Sequence, residues 1–104
     1  MRLAAIDIGP NSTRLLVADV AGGRVDELFR HSVVTRLGDR VDVTGRLADD
    51  AQQRVFDVLD GYRREYTEAG AERVGGVCTS AVRDAANGPE FVAEVERRFG
   101  VALD

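Results

Sequence analysis

The stretch Leu3-Ala4-Ala5-Ile6-Asp7-Ile8-Gly9-Pro10-Asn11-Ser12-Thr13-Arg14-Leu15-Leu16-Val17 decides how this chain is read. An apolar run ends in an acid, turns through a glycine and small polar residues, and resumes as a second apolar run. Read as strand, tight turn, strand, it sets the Asp7 carboxylate, exposed backbone N–H groups and the hydroxyls of Ser12 and Thr13 at the rim of a sheet. Such a rim suits a phosphate. Amides and hydroxyls donate to its oxygens, and the carboxylate holds a divalent cation or its water. Gly9 lets the backbone come close without a Cβ in the way.

Outward from this stretch, residues 3–8 and 14–20 predict two strands joined by the turn. Ala21-Gly22-Gly23 predicts a hairpin turn, and a third strand follows over 25–35, with Leu28, Phe29, Val33 and Val34 as its apolar content. Three strands with short connections predict an antiparallel meander. Residues 36–48 read as irregular, punctuated by Gly38 and Gly45. The spacing of Val55, Leu59, Tyr62, Tyr66 and Ala69 predicts a helix over 49–69, with Asp49 and Asp50 in its first turn and Gly70 just past its end. Residues 73–79 predict a fourth strand that passes into a short helix. A last helix opens at Asn87-Gly88-Pro89-Glu90, with Pro89 at its first position, and stops at Gly100. Val101-Ala102-Leu103 reads as the start of a fifth strand. The order β-β-β-α-β-α, with that strand incomplete at the C-terminus, is α/β: a mixed sheet with helices packed on it. A fold that stops as a strand begins carries the expectation of a segment of a longer protein.

The 104 residues suffice for one small domain, and the 44% hydrophobic and 31% charged composition fits a packed soluble core. A net charge of -4 speaks against a nucleic-acid partner. All 14 basic residues are arginine. A chain without lysine has neither a Walker-type phosphate loop nor a Schiff-base lysine, so phosphate binding falls to backbone, hydroxyl and guanidinium. The lone cysteine, Cys78, cannot form an internal disulfide or, with the single histidine, a zinc site. With no long apolar segment near the N-terminus, the expectation is a cytoplasmic protein without a membrane partner.

Four segments in order resemble one family. Ile6-Asp7-Ile8-Gly9-Pro10-Asn11-Ser12-Thr13-Arg14, Arg36-Leu37-Gly38-Asp39-Arg40-Val41-Asp42, Thr44-Gly45-Arg46-Leu47 and Thr79-Ser80-Ala81-Val82-Arg83-Asp84-Ala85-Ala86-Asn87 are similar to motifs of the exopolyphosphatase / guanosine pentaphosphate phosphohydrolase family. That family lies within the actin-like ATPase superfamily, of ribonuclease H-like fold. The resemblance implies the first half-domain of that fold, in residues 1–104, and removal of terminal phosphate from inorganic polyphosphate or guanosine pentaphosphate. It implies that Asp7 holds Mg²⁺ through water. Gly9, Asn11, Ser12 and Thr13 cradle phosphate, and Arg83 binds substrate phosphate and serves catalysis. It further implies that the general base and a second phosphate loop follow Asp104 and that the chain alone is inactive. The unpaired strand end at Val101 to Asp104 carries the expectation of self-association into a homo-oligomer. Pro10 departs from the family's Ser or Thr and removes a hydroxyl and an N–H.

Plainer roles stand beside these. Asp7, Asn11 and Ser12 also suit a turn, and Arg83 a solvated helix face. Arg36 either pairs with Asp39 or Asp42 or lines the cleft. His31 reads as a strand-face residue and Cys78 as core, while Arg63-Arg64 and Arg97-Arg98 read as solvated helix faces. Two other functions remain: a sugar-kinase-like phosphotransferase of the same superfamily, against which the Thr79 to Asn87 stretch speaks, and a non-catalytic phosphate- or nucleotide-binding module.

Overall fold

A period of two divides each strand between two faces. β1 (Arg2–Ile8) turns Ala4, Ile6 and Ile8 to one face and Ala5 and Asp7 to the other. β2 (Ser12–Ala21) pairs with it antiparallel, in a register that sets Val17, Leu15 and Thr13 beside Ala4, Ile6 and Ile8. All six are buried. β3 (Arg24–Val34) pairs antiparallel with β2 through a hairpin whose Gly22 and Gly23 have φ of 57° and 79°. Two consecutive left-handed residues match the twist of the strands they join. The computed structural model describes residues 1–104 and places the strands in the order β3-β2-β1-β4, where β4 (Arg73–Cys78) runs parallel to β1. The mixed sheet is as the sequence predicts. β3 differs in its burial: it is an edge strand, and Leu28, Val33 and Val34 are exposed, leaving Phe29 to pack against the core.

Residues 36–48 are less irregular than the sequence suggests. They contain α1 (Val41–Thr44), a single turn entered through Arg40 in the left-handed region. Valine and threonine give such a turn little propensity; its closure comes from the loop around it. α2 (Asp49–Glu68) buries Val55, Phe56, Leu59, Tyr62 and Tyr66, and α4 (Gly88–Phe99) buries Phe91 and Val95. Pro89 is the second helical residue of α4, one later than predicted; Asn87 precedes the helix. Both helices cover the face of Ala4, Ile6 and Ile8, and the Phe56 and Phe91 rings stack at 5.6 Å between centroids. The opposite face is open. Ala5, Asp7, Arg14, Leu16 and Val77 line a shallow depression of about 650 Å³ along it. Leu103 forms a parallel bridge with Gly76, the first contact of a fifth strand. A Cβ on Gly76 would lie 2.9 Å from the Ile6 carbonyl oxygen and from Leu103 Cδ2, so only glycine admits that neighbour. No helix is long and apolar enough to cross a membrane.

Cys78 ends β4 inside the core, and burial pushes its thiol up from 9.0 to about 11. The folded chain keeps a proton that the unfolded chain releases, so stability declines as pH rises from about 9 towards 11, by about 2–3 kcal/mol at the upper end. Burial raises Tyr62 and Tyr66 as well, in the same direction. Cys78→Ala is therefore expected to shrink the alkaline loss of stability without abolishing it. Urea unfolding midpoints on either side of that window check this.

Candidate phosphate-binding site

Three segments meet at one end of the sheet. β1 and β4 finish side by side, and the Thr79 N–H donates to the Ile8 carbonyl at 3.1 Å. After β1 the turn closes when the Gly9 N–H donates to the Ser12 carbonyl at 3.0 Å. The segment after β3 then hooks onto that turn. Thr35 and Arg36 N–H groups donate to the Asn11 carbonyl at 2.9 and 3.0 Å, and the Gly38 N–H donates to the Pro10 carbonyl at 2.8 Å. Carboxyl ends of parallel strands are where open α/β sheets bind ligands, and here they are flanked by loops from both neighbours.

Asp7 lies half-buried on the open face, beside Arg14 in register, and makes no ion pair with it. Its carboxylate is therefore available. Asn11 is exposed, and its N–H has no acceptor within the chain. Ser12 is half-buried at the start of β2. Gly9 is buried, yet a Cβ there would meet only ordinary contacts, 3.5 Å to the Ser12 carbonyl oxygen and 3.8 Å to Thr79 Cγ2. Nothing within the chain requires glycine at this position.

Thr13 points the other way. It is fully buried, its hydroxyl pairs with the Thr35 hydroxyl at 3.0 Å, and its carbonyl accepts from the Tyr62 hydroxyl at 2.6 Å. It anchors the turn from beneath. Its parity with Leu15 and Val17 along β2 was the sequence signal for this inward orientation. Arg83 ends α3 (Ser80–Arg83) and is engaged with backbone: Nε donates to the Cys78 carbonyl at 3.0 Å and one terminal nitrogen to the Leu103 carbonyl at 2.9 Å. The guanidinium clamps β4 to the incoming fifth strand, and its second terminal nitrogen remains unengaged. Thr79 Oγ1 beside it is buried without a partner.

Three contributors escaped the sequence reading. The Asn87 amide accepts from the Leu47 N–H at 2.7 Å and donates to the Leu47 carbonyl at 2.9 Å, joining the Thr44–Leu47 and Thr79–Asn87 segments as a strand pair would. Arg54 on α2 donates to the Thr35 carbonyl at 2.8 Å. Tyr62, read as core, supplies the hydroxyl under Thr13. Only the last carried a signal, since a buried tyrosine hydroxyl usually finds an acceptor. No group of three or more His, Cys, Asp or Glu side chains gathers anywhere in the chain.

The model of the Ppx/GppA phosphatase family matches residues 5–104. The chain belongs to that family. Exopolyphosphatase 2 of Mycobacterium tuberculosis is 44% identical over 106 residues, which cover 98% of this chain and 33% of that protein. The guanosine-5'-triphosphate,3'-diphosphate pyrophosphatase of Vibrio cholerae is 33% identical, over 97% of this chain and 20% of its own. The crystal structure of the Aquifex aeolicus Ppx/GppA family member superposes with a TM-score of 0.91 at 38% identity, covering 100% of this chain and 35% of that one. The chain thus spans a third or less of the length of the curated relatives named here. The mixed sheet with helices is the family's fold over that portion, an actin-like ATPase half-domain as the motifs implied.

The Thr13–Thr35 pair gives a double-mutant cycle. Thr13→Val strands one buried hydroxyl and is expected to lower stability by about 1–3 kcal/mol. Adding Thr35→Val removes the stranded group and restores much of the loss. Unfolding free energies of the two single variants and the double variant check this. Gly9→Ala is expected to leave the melting temperature nearly unchanged while weakening phosphate binding. Calorimetry combined with a phosphate-binding titration of the full-length protein separates the two effects.

Proposed function

We propose that the full-length protein hydrolyses terminal phosphoanhydride bonds of inorganic polyphosphate or guanosine pentaphosphate, and that this chain forms one wall of the cleft. The observation that carries the reading is the meeting of the Gly9–Ser12 turn, with its free Asn11 N–H and unpaired Asp7 carboxylate, with the Thr79–Arg83 segment at the ends of β1 and β4. The names of the relatives support the same chemistry.

In this reading Gly9, Asn11 and Ser12 line the terminal phosphate, and Thr13 keeps their turn in place from the core. A single free carboxylate suits Mg²⁺, which retains most of its waters and binds through one or two carboxylates and phosphate oxygens. Asp7 would hold it, and the ion would neutralise charge that develops on the phosphate oxygens. The unengaged nitrogen of Arg83 is left to give substrate the same charge assistance, while its other contacts fix the strand that follows. Residues beyond Asp104 supply the base and the opposing loop. In this reading the protein works in the cytoplasm as a homo-oligomer, with residues 1–104 as the N-terminal part of a Ppx/GppA-type domain.

Asp7→Ala in the full-length protein is expected to lower the rate of phosphate release from polyphosphate about 10²–10³-fold, the usual loss for one electrostatic contributor to a charged transition state. Arg83→Lys retains the charge but loses the two-carbonyl clamp, and a smaller loss in kcat is expected. Steady-state phosphate release on both substrates measures both effects. Unchanged rates in Asp7→Ala would sink the assignment.

A further inference from the structure

Beside the phosphate turn lies a groove of about 410 Å³ lined by Pro10, Asn11, Arg36, Asp39, Arg40 and Asp42, along with Gly38. Arg36 and Arg40 both sit in the left-handed region, with φ of 51° and 65°, and they are the only residues other than glycine with positive φ. Arginine rarely adopts this conformation, so its surroundings must impose it. For Arg36 they are visible. The Arg36 N–H donates to Asn11, the Gly38 N–H to Pro10, and Arg54 holds the Thr35 carbonyl from below. A Cβ on Gly38 would lie 2.7 Å from Pro10 Cβ, so the loop sits directly against the turn. Neither arginine has an ion pair or side-chain hydrogen bond, although Asp39 and Asp42 line the same groove. Two guanidinium groups are thus carried on a rigid loop, unpaired, next to the residues that line the terminal phosphate.

We propose that Arg36 and Arg40 form a chain-binding subsite, which holds non-scissile phosphates of a linear phosphate polymer whose end lies at the Gly9–Ser12 turn. The proposal rests on the phosphatase reading above and narrows its substrate. Asn11 borders both turn and groove, so a polymer leaving the turn enters the groove without a gap. Guanidinium forks match phosphate oxygens in pairs and keep their charge at every working pH. Apart from the Pro10 ring, the groove has no apolar or aromatic surface on which a purine would stack. Its two guanidinium groups suit repeated phosphate better than a nucleoside, for which only their own planes offer a stacking surface. Asp39 and Asp42 balance the two arginines. Repulsion from them penalises small anions that lack a second phosphate to reach both guanidiniums.

The test uses the full-length protein, with long-chain polyphosphate, tripolyphosphate and guanosine pentaphosphate as substrates. Arg36→Asn and Arg40→Asn remove the charge and keep a residue that tolerates the left-handed region. Each is expected to lower the ratio of kcat/KM for long-chain polyphosphate over tripolyphosphate about tenfold, mainly through KM. Asp42→Asn is expected to raise kcat/KM for both polyphosphates. In the unmodified protein, log KM for the long chain should climb more steeply with log salt than for tripolyphosphate, and each arginine variant should lower that slope by about one. An active wild type whose ratio stays within twofold in both arginine variants overturns the subsite and leaves the phosphatase reading standing. So does an equal loss on guanosine pentaphosphate. Should either variant fail to fold, the wild-type slopes decide, and equal slopes overturn the proposal. A wild type inactive on all three substrates removes the phosphatase reading and the subsite together.

Discussion

The buried hydroxyl pair of Thr13 and Thr35 is the contact on which the rest of the site depends. It joins the strand that leaves the Gly9–Ser12 turn to the segment that leaves β3, and Tyr62 on α2 closes the arrangement from the helix side. Two hydroxyls in an apolar core satisfy each other only in one relative position of their backbones. The Asn11 carbonyl then receives Thr35 and Arg36 in turn. Turn, loop and helix are thereby referred to one internal point, and the turn keeps its shape without help from bound ligand.

This explains why a site of small polar residues rests on ordinary core packing. The turn has no internal ladder beyond a single Gly9–Ser12 hydrogen bond. Its rigidity is borrowed from α2, whose Leu59 and Tyr62 press on the sheet, and from Asn87, which ties the loop before α2 to the segment before α4. The arginine-only composition acquires a structural sense in the same way. Arg54 and Arg83 use the fork of the guanidinium to hold pairs of carbonyls or neighbouring segments in place, a task for which a lysine ammonium lacks the geometry.

Much of this was legible in the residues themselves. The two apolar runs of β1 and β2, the Gly22-Gly23 hairpin, the spacing of Val55 to Tyr66 and the stop at Gly100 each express a local rule, and each element formed where that rule puts it. What escaped depended on distant partners. The turn at Val41–Thr44 is built of residues with little helix propensity and follows Arg40 in the left-handed region, which no local pattern announces. The apolar look of Val33 and Val34 said nothing of their place on an edge. The motif assigned Arg83 to substrate phosphate, but its two carbonyl partners lie five and twenty residues away along the chain, and no spacing rule announces them.

The one-sided cover of the sheet gives parity along β1 a meaning beyond packing. Even-numbered residues of this strand answer to the helices, and odd-numbered ones to whatever meets the open face. The two sets can change independently, because no side chain belongs to both. A slip of a single residue between β1 and β2 would exchange them, driving the Asp7 carboxylate among Leu59 and Tyr62 and lifting Ile8 into water. The position of the Asp7 carboxylate is thus protected by the cost of burying it: misregistered chains are penalised through its charge.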